Sequence, residues 1–203
     1  MIGLIMFYGQ LLQDKWIFEQ LITRGFTLGE KGYFVDVGAF DGQHFSNSLF
    51  FEEIGWSGVC VEAQQSSYEK CRSNRKCEVV QAIVNGTDGG SELFVRNEVQ
   101  PMLSRVTRTH QQGFSLPTRS LNSILAEVNS PNKIDYLSID VEGLDFEVLQ
   151  SLDTEKYDVT AITIEHNGSE QGGDIANWLW AHGYLVRMVE WDFFAIKDKV
   201  RVQ

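Results

Sequence analysis

Short apolar segments alternate with segments of helical periodicity along most of the chain, and this alternation restricts the possible folds more than any other feature of the sequence. The apolar segments predict strands at residues 33–37, 58–62, 78–84, 134–139, 159–164, 184–190 and 193–196. The segments between them predict helices at about residues 16–25, 45–54, 66–73, 120–128, 144–152 and 174–182. This pattern is typical of an α/β fold with a parallel sheet buried on both faces. Because no helix separates the last two strands, we expect an antiparallel pair at one edge.

The rest of the chain adds few elements to this sheet. Residues 91–95 predict a short extra strand, and residues 97–118 predict a long surface loop. Loops longer than about 12–15 residues in a compact domain are usually functional or disordered. At 203 residues, the chain is expected to form one domain, residues 1–203, in which residues 1–30 are an N-terminal arm and helix.

The charge balance excludes several classes of partner. The sequence has 17 Lys and Arg against 28 Asp and Glu, a net charge of -11 at pH 7. This charge repels phosphate backbones and anionic lipids, so we expect no nucleic-acid and no membrane partner. The cysteines form no Cys-x-x-Cys pair, and residues 1–8 lack the basic region of a secretion signal. We therefore expect a cytoplasmic protein with reduced thiols.

The first predicted strand runs into a loop with the sequence DVGAFDG, residues 36–42. Gly38 and Gly42 allow a sharp turn and a close approach of the backbone to a ligand. The loop is not the GxGxxG of dinucleotide-binding enzymes, because Phe40 occupies the position of the second glycine. The carboxylates of Asp36 and Asp41 would repel a pyrophosphate and would suit a ligand with a cationic centre. The alternative is a simple glycine turn before a helix.

Acidic residues end further predicted strands. Glu62 ends the second strand, where an acidic side chain accepts hydrogen bonds from both ribose hydroxyls, unless it is only a surface carboxylate. With the glycine loop, Glu62 indicates a cofactor that contains a nucleoside. Asp140 and Glu165 end two neighbouring buried strands, where carboxylates are costly unless they are paired, hydrated or bound to a ligand. We interpret this pair as the floor of a reaction site.

A series of ordered segments carries a resemblance to a known family. These segments are residues 34–42 (FVDVGAFDG), 46–48 (SNS), 55–63 (GWSGVCVEA), 74–75 (NR), 120–125 (SLNSIL), 134–143 (IDYLSIDVEG) and 162–167 (ITIEHN). With Gln10, Gln13 and Asp14 near the N-terminus, they resemble the FkbM family of S-adenosylmethionine-dependent methyltransferases. The resemblance implies a class I methyltransferase (Rossmann-like) fold, a seven-stranded, mostly parallel sheet with helices on both faces and an antiparallel C-terminal hairpin. It also implies S-adenosylmethionine as the methyl donor and O-methylation of a small acceptor, which we expect to be a carbohydrate.

The resemblance further implies roles for individual residues. The loop around the methionine part of the donor would contain Asp36, Gly38, Ala39 and Phe40. The other donor contacts would be Asp41, Ser46 and Asn47 near the methionine part, Glu62 at the ribose, Ala63 and Ile83 at the adenine, and Asp140 close to the transferred methyl. Residues 97–118 would contact the acceptor.

An alcohol acceptor must lose its proton during methyl transfer, which requires a general base or a metal ion. We prefer His166 as the base, because its ordinary pKa lies near neutral pH and it directly follows a strand. Its rival role is to orient a neighbouring carboxylate, and His44 and His110 are the next candidates. Asp140 and Glu165 complete the predicted catalytic set.

Two further ligand sites are open at this point. Asp140, Glu165 and Asn167 offer hard oxygen ligands that suit Mg²⁺, but we expect water and hydrogen bonds to satisfy them and no metal to bind. Arg105 and Arg108 are either contacts for an acidic acceptor or solvated charges.

Two other functions remain as alternatives. The chain could be a non-catalytic module that binds the donor for a partner protein. It could also be a nucleotide-dependent oxidoreductase on a similar sheet, which the missing GxGxxG and the loop carboxylates disfavour.

Overall fold

A computed structural model describes residues 6–95, 105–107 and 114–198 of the chain. The strands are β1 (Tyr33–Val37), β2 (Ser57–Glu62), β3 (Glu78–Gln81), β4 (Ile83–Val84), β5 (Ser91–Val95), β6 (Arg105–Thr107), β7 (Phe114–Arg119), β8 (Lys133–Ile139), β9 (Asp158–Glu165), β10 (Tyr184–Val189) and β11 (Asp192–Lys197). The helices are α1 (Gln13–Thr23), α2 (Leu49–Glu53), α3 (Gln65–Asn74), α4 (Leu121–Glu127), α5 (Asp145–Gln150) and α6 (Gln171–Ala181).

The main sheet has seven strands in the order β10-β11-β9-β8-β1-β2-β3. β1 pairs in parallel with β2 and β8, and β8 pairs in parallel with β9. β11 is antiparallel to both β9 and β10, which confirms the predicted antiparallel pair at the edge. The strand order reverses between β1 and β8, and open α/β sheets bind ligands beyond the carboxyl ends of the strands at such a point.

Different helices cover the two faces of this sheet. Successive strand residues point to opposite faces, so Val35 and Phe34 belong to separate apolar clusters. The cluster around Val35 takes its helical residues from α4, α5 and α6. The cluster around Phe34 takes them from α1, α2 and α3. Burial on both faces explains why most side chains of the central strands are apolar.

A second sheet accounts for two errors in the sequence prediction. Its strands lie in the order β4-β7-β5-β6. The predicted strand at residues 78–84 is divided, because residues 78–81 pair with β2 whereas residues 83–84 pair with β7. The predicted loop at residues 97–118 is wrong over β6 and β7, whose backbones pair with β5. The rest of that loop, residues 97–104 and 108–113, lies outside the described residues.

The helix predicted at residues 45–54 is also shorter than expected. Phe45 has a φ of 53°, in the left-handed region, which is incompatible with an α-helix. Ser46 Oγ accepts a hydrogen bond from the Leu49 N–H at 3.1 Å, and this contact satisfies a backbone donor at the start of α2. The segment before α2 therefore forms a long connection beside the carboxyl end of β1.

A buried cation holds this connection to the sheet. The side chain of Arg75 is 0% exposed, and its Nε lies 3.4 Å from Glu52 Oε2. Its Nη1 and Nη2 both donate to Ser48 Oγ at 3.1 Å. Ser48 Oγ in turn donates to Asp36 Oδ2 at 2.5 Å. Burial raises the pKa of Asp36, and the positive charge of Arg75 opposes this effect. The loss of either partner would leave a buried charge without compensation.

Gly38, which follows β1, packs against the backbone of Asp140, which follows β8. Its φ is 90°, and a Cβ at this position would stand 1.7 Å from the carbonyl oxygen of Asp140. The Asp140 N–H donates to the Val37 carbonyl at 2.9 Å, so the two strand ends are joined directly. Glycine meets both the conformational and the steric requirement.

We expect Gly38→Ala to destabilise the protein more than Gly25→Ala. Both glycines have a φ of 90°, so both variants carry similar backbone strain. A Cβ at Gly25 meets no atom within 4 Å, whereas at Gly38 it overlaps the Asp140 backbone. The strain costs about 1–2 kcal/mol, and the overlap adds about 1–3 kcal/mol. Urea denaturation measures both free energies of unfolding, and equal losses would contradict the close approach.

Candidate functional site

A cavity lies beyond the carboxyl ends of β1, β8 and β9 and encloses about 880 Å³ of space, part of it open to solvent. Its position is the one that the strand order favours for a ligand. The cavity brings together most of the residues predicted for the site: Asp36, Gly38, Ala39, Phe40, Ser46, Asn47, Asp140, Glu165 and Asn167.

The glycine loop after β1 folds back onto β2. The N–H groups of Gly38 and Ala39 donate to the Val61 carbonyl at 2.9 and 3.1 Å. The Phe40 N–H donates to Glu62 Oε2 at 2.9 Å. These contacts fix the loop against β2, and Gly38, Ala39 and Phe40 line the cavity.

Glu62 does not line the cavity, although it supports the loop that does. Its Oε1 accepts from the Gln64 N–H at 2.7 Å, so each carboxylate oxygen already has one backbone partner. Burial raises the pKa of Glu62 to about 7. Because each oxygen can accept a second hydrogen bond, the ribose contact is compatible with this arrangement and stays a prediction.

Asp41 lies in a turn beside the cavity and does not line it. Its Oδ1 accepts from the backbone N–H groups of Gln43 and His44 at 3.0 and 2.9 Å, and its Oδ2 lies 2.6 Å from His44 Nδ1. Although burial opposes it, these hydrogen bonds lower the pKa of Asp41. The carboxylate therefore holds the turn that carries His44, which does line the cavity.

The Ser46 and Asn47 side chains use their polar atoms differently. Ser46 Oγ accepts from Arg75 Nη1 at 3.2 Å in addition to the Leu49 N–H. Asn47 Nδ2 donates to Ser138 Oγ at 3.0 Å. Within the part of the chain that the structure describes, Asn47 Oδ1 has no hydrogen-bond partner, although the residue is only 9% exposed. Asn47 Oδ1 is therefore a buried acceptor with unused hydrogen-bonding capacity in a residue that lines the cavity.

Ala63 and Ile83, predicted at the adenine, meet in a small apolar cluster. Ile83 and Leu144 are each 3% exposed, and Ala63 packs against them. None of them lines the cavity. The structure thus brings the two predicted residues together, and their contact with adenine stays a prediction.

The most concentrated charge lies at the ends of β8 and β9. Asp140, Glu142 and Glu165 each place a carboxylate oxygen within 4.8 Å of the others. Asn167 Nδ2 donates to Glu165 Oε2 at 2.6 Å. This acidic cluster, defined as Asp140, Glu142 and Glu165, has the oxygen ligands that a divalent cation prefers.

Mutual repulsion changes the titration of this acidic cluster. Desolvation and the Glu165 charge raise the pKa of Asp140 well above the ordinary value for aspartate. Desolvation and the Glu142 charge raise the pKa of Glu165 from 4.5 to about 8. Near neutral pH the cluster therefore retains a proton that isolated carboxyl groups would release.

Backbone strain is concentrated around the same cavity. Phe40, Phe45, Glu142 and Asn167 line it and have φ values of 50°, 53°, 56° and 49°. Residues other than glycine are uncommon in this region and persist where the surrounding structure enforces them. Such strain is typical of ligand-binding and catalytic sites.

His166 lies outside the cavity lining. Its Nδ1 accepts from the Gly168 N–H at 3.0 Å, and its ring packs against Phe193 with centroids 4.6 Å apart. Its Nε2 is buried without a partner among the described residues. This geometry favours a structural role over proton transfer in the cavity. His110, Arg108 and the side chain of Arg105 lie outside the described part of the structure.

Sequence reasoning missed three lining residues: Gln10, Phe45 and Glu142. Glu142 carried a usable signal, since it follows Asp140 by two positions and precedes Gly143 in a strand-end turn. Phe45 was placed inside a predicted helix. Gln10 lies far from the strand ends in sequence, and only the tertiary structure brings it to the cavity.

The sequence matches the model of the methyltransferase FkbM domain over residues 36–186. The chain belongs to the FkbM methyltransferase family. The match includes the glycine loop, Glu62 and the acidic cluster, so every lining residue of the cavity except Gln10 lies within the FkbM domain. Membership makes the chain an S-adenosylmethionine-dependent methyltransferase.

Two solved structures share the fold of this FkbM domain. Precorrin-6y C5,15-methyltransferase from Geobacter metallireducens has a TM-score of 0.52 at 11% identity, over 97% of this chain and 96% of that chain. Methyltransferase FkbM from Methylobacillus flagellatus has a TM-score of 0.50 at 13% identity, over 81% of this chain and 43% of that chain. These similarities show the class I methyltransferase fold alone. No curated protein sequence matches the chain. Among the described residues, no helix is both long and apolar enough to cross a membrane.

We expect the acidic cluster to make the protein less stable as pH rises from about 4.5 to about 8. The folded-state pKa of Glu165 is raised from 4.5 to about 8, so folding favours its protonated form and loses that contribution as the group ionises. Glu165→Gln should flatten the decline. Urea denaturation between pH 5 and 9 measures it, with the exposed Glu155→Gln as control. Parallel declines in wild type and Glu165→Gln would contradict this assignment.

Proposed function

We propose that this FkbM protein transfers the methyl group of S-adenosylmethionine to a hydroxyl of a small acceptor, which we expect to be a carbohydrate. The observation that carries the proposal is the acidic cluster at the ends of β8 and β9, which lines the same cavity as the glycine loop. The two features would supply a base and a donor loop within one polar cavity.

The donor is proposed to lie along the carboxyl ends of β1 and β2. The glycine loop would hold the methionine part, and Asn47 Oδ1, which lacks a partner among the described residues, would accept from its ammonium group. Glu62 would accept hydrogen bonds from the ribose hydroxyls, with Ala63 and Ile83 beside the adenine. The positive sulfonium would lie near Asp140, and its charge would favour the ionised form of that carboxyl group.

The acidic cluster is proposed to remove the acceptor proton. As the acceptor oxygen forms a bond to the methyl carbon, the carbon–sulfur bond breaks and the hydroxyl proton passes to a carboxylate oxygen. Most of the acceleration comes from alignment of the two reactants, and the base prevents a build-up of positive charge on the oxygen. A base works best when its pKa lies near the operating pH, and the pKa of Glu165, about 8, suits this task.

The proposal gives His166 its alternative role. Its ring lies close enough to interact with Asp192, a carboxylate whose pKa burial raises and the hydrogen bond from Gln13 lowers. His166 would therefore orient and stabilise the segment that follows β9, while Asp140 and Glu165 face the reaction.

A carbohydrate acceptor fits the polar character of the cavity. Carboxylate oxygens accept hydrogen bonds from hydroxyls, and the side-chain amide of Asn167 both donates and accepts. These groups match a molecule with several neighbouring hydroxyls.

A divalent cation is a second possibility that one observation favours. Asp140, Glu142 and Glu165 would hold the ion, since their carboxylate oxygens lie within 4.8 Å of one another. A bound cation would lower the pKa of an acceptor hydroxyl. We keep the expectation of a metal-free reaction, because hydrogen bonds such as that from Asn167 to Glu165 already satisfy part of the cluster.

The decisive experiment is a calorimetric titration with S-adenosylmethionine and S-adenosylhomocysteine, followed by transfer assays on sugars and on matched amines. Saturable donor binding and methylation of a hydroxyl support the proposal. Donor binding without transfer to any acceptor favours the non-catalytic module, and absence of donor binding in a folded sample overturns the proposal. Assays in EDTA and in Mg²⁺ decide the role of the cation.

We expect Glu62→Ala to weaken S-adenosylhomocysteine binding by at least about ten-fold, because the protein loses the two carboxylate oxygens that would accept hydrogen bonds from the ribose hydroxyls. Glu78→Ala is the matched control, since Glu78 is exposed at the start of the neighbouring strand. Calorimetry measures the affinities, and thermal denaturation verifies that both variants are folded. Unchanged donor affinity in Glu62→Ala would remove the ribose assignment.

We expect Asp140→Asn and Glu165→Gln each to lower kcat by about 100-fold, because they remove carboxylates of the proposed base. The affinity for S-adenosylhomocysteine should change little, since this ligand lacks the sulfonium charge that Asp140 would contact. In wild type, kcat should rise with pH up to about 8 as Glu165 loses its proton. Glu155→Gln serves as control. Equal losses of kcat and donor affinity would argue against a role in proton transfer.

A further inference from the structure

A turn outside the matched FkbM domain forms one wall of the cavity. The Leu12 N–H donates to the Gly9 carbonyl at 3.0 Å, which closes a turn over residues 9–12. Gln10 lies in this turn and lines the cavity together with Asn47 and the acidic cluster. The family match begins only at residue 36, so it does not include Gln10.

Two buried polar side chains fix this turn. Asp14 is 0% exposed, and its Oδ2 accepts from the Tyr8 N–H at 2.6 Å. Gln13 is 5% exposed and bridges two elements. Its Oε1 accepts from the Leu11 N–H at 2.8 Å, and its Nε2 donates to Asp192 Oδ2 at 2.9 Å. Burial of such polar groups is costly unless they are hydrogen-bonded. These hydrogen bonds therefore fix the position of the turn.

The turn closes directly on the residue proposed to bind the donor ammonium. A Cβ on Gly9 would stand 3.0 Å from Asn47 Oδ1 and 2.7 Å from Gln13 Oε1. The backbone at Gly9 therefore approaches Asn47 as closely as a glycine allows. This contact places the turn at the methionine end of the proposed donor site.

The donor brings a charge that the cavity does not compensate. The methionine part of S-adenosylmethionine carries an α-carboxylate, whereas the described residues that line the cavity include four acidic side chains and no Lys or Arg. The α-carboxylate therefore depends on neutral N–H donors. Gln10 lines the cavity next to Gly9, and its neutral side-chain amide is such a donor.

We infer that Gln10 is a further donor-binding residue, whose side-chain amide donates a hydrogen bond to the α-carboxylate of S-adenosylmethionine. This inference rests on the proposed function, since it requires the donor to occupy the cavity. The N-terminal turn would then favour ligands that contain the methionine part over ligands that lack it.

The test compares two ligands by calorimetry: S-adenosylhomocysteine, which has the amino-acid part, and 5′-methylthioadenosine, which lacks it. We expect Gln10→Ala to weaken S-adenosylhomocysteine about ten-fold and to leave 5′-methylthioadenosine within about two-fold of wild type. Gln10→Glu should weaken S-adenosylhomocysteine further, because it places a second negative charge beside the α-carboxylate. Leu12→Ala is the control: Leu12 belongs to the same turn, is 49% exposed and does not line the cavity.

The outcomes separate this inference from the proposed function. If wild type binds neither ligand, the proposed function fails. If wild type binds S-adenosylhomocysteine and Gln10→Ala binds it equally well, only the role of Gln10 is overturned. An equal loss for both ligands also overturns it, because Gln10 would then act on the shape of the cavity. A selective loss that Leu12→Ala does not reproduce supports it.

Discussion

The site depends on one constraint, the close contact between the backbone that follows β1 and the backbone that follows β8. Gly38 leaves no room for a Cβ beside the Asp140 carbonyl, and the Asp140 N–H is bonded to Val37. The glycine loop and the acidic cluster therefore begin at the same point of the sheet. A donor held by one is necessarily close to the other, and this proximity is what a transfer reaction requires.

Charge is distributed unequally around that point. Behind the glycine loop, Arg75 compensates Asp36 through Ser48, so this buried carboxylate is part of a closed network. In the cavity, the described lining residues include Asp140, Glu142 and Glu165 but no Lys or Arg. The first arrangement stabilises the scaffold, and the second places negative charge and a retained proton where the proposed cationic donor and hydroxyl acceptor would bind.

Much of this site could be predicted because its residues follow strands. Asp36, Glu62, Asp140 and Glu165 were identified from their positions after apolar segments, and the parallel sheet places such residues at one edge. Glu142 and Gln10 could not be placed this way. The side chain of Glu142 reaches the cluster through a left-handed backbone conformation, and Gln10 comes from a turn that side-chain hydrogen bonds position.

Apolar periodicity and strand-end motifs were sufficient to predict the strands of the main sheet, its antiparallel edge and the family, because these patterns are local properties of the chain. Only the folded chain reveals that residues 78–84 divide between two sheets and that His166 lies outside the cavity. The same holds for the raised pKa values of Asp140 and Glu165, which result from desolvation and from neighbouring carboxylates. These outcomes depend on distances between residues far apart in sequence. Electrostatic coupling and desolvation vary with such distances, and no local pattern records them.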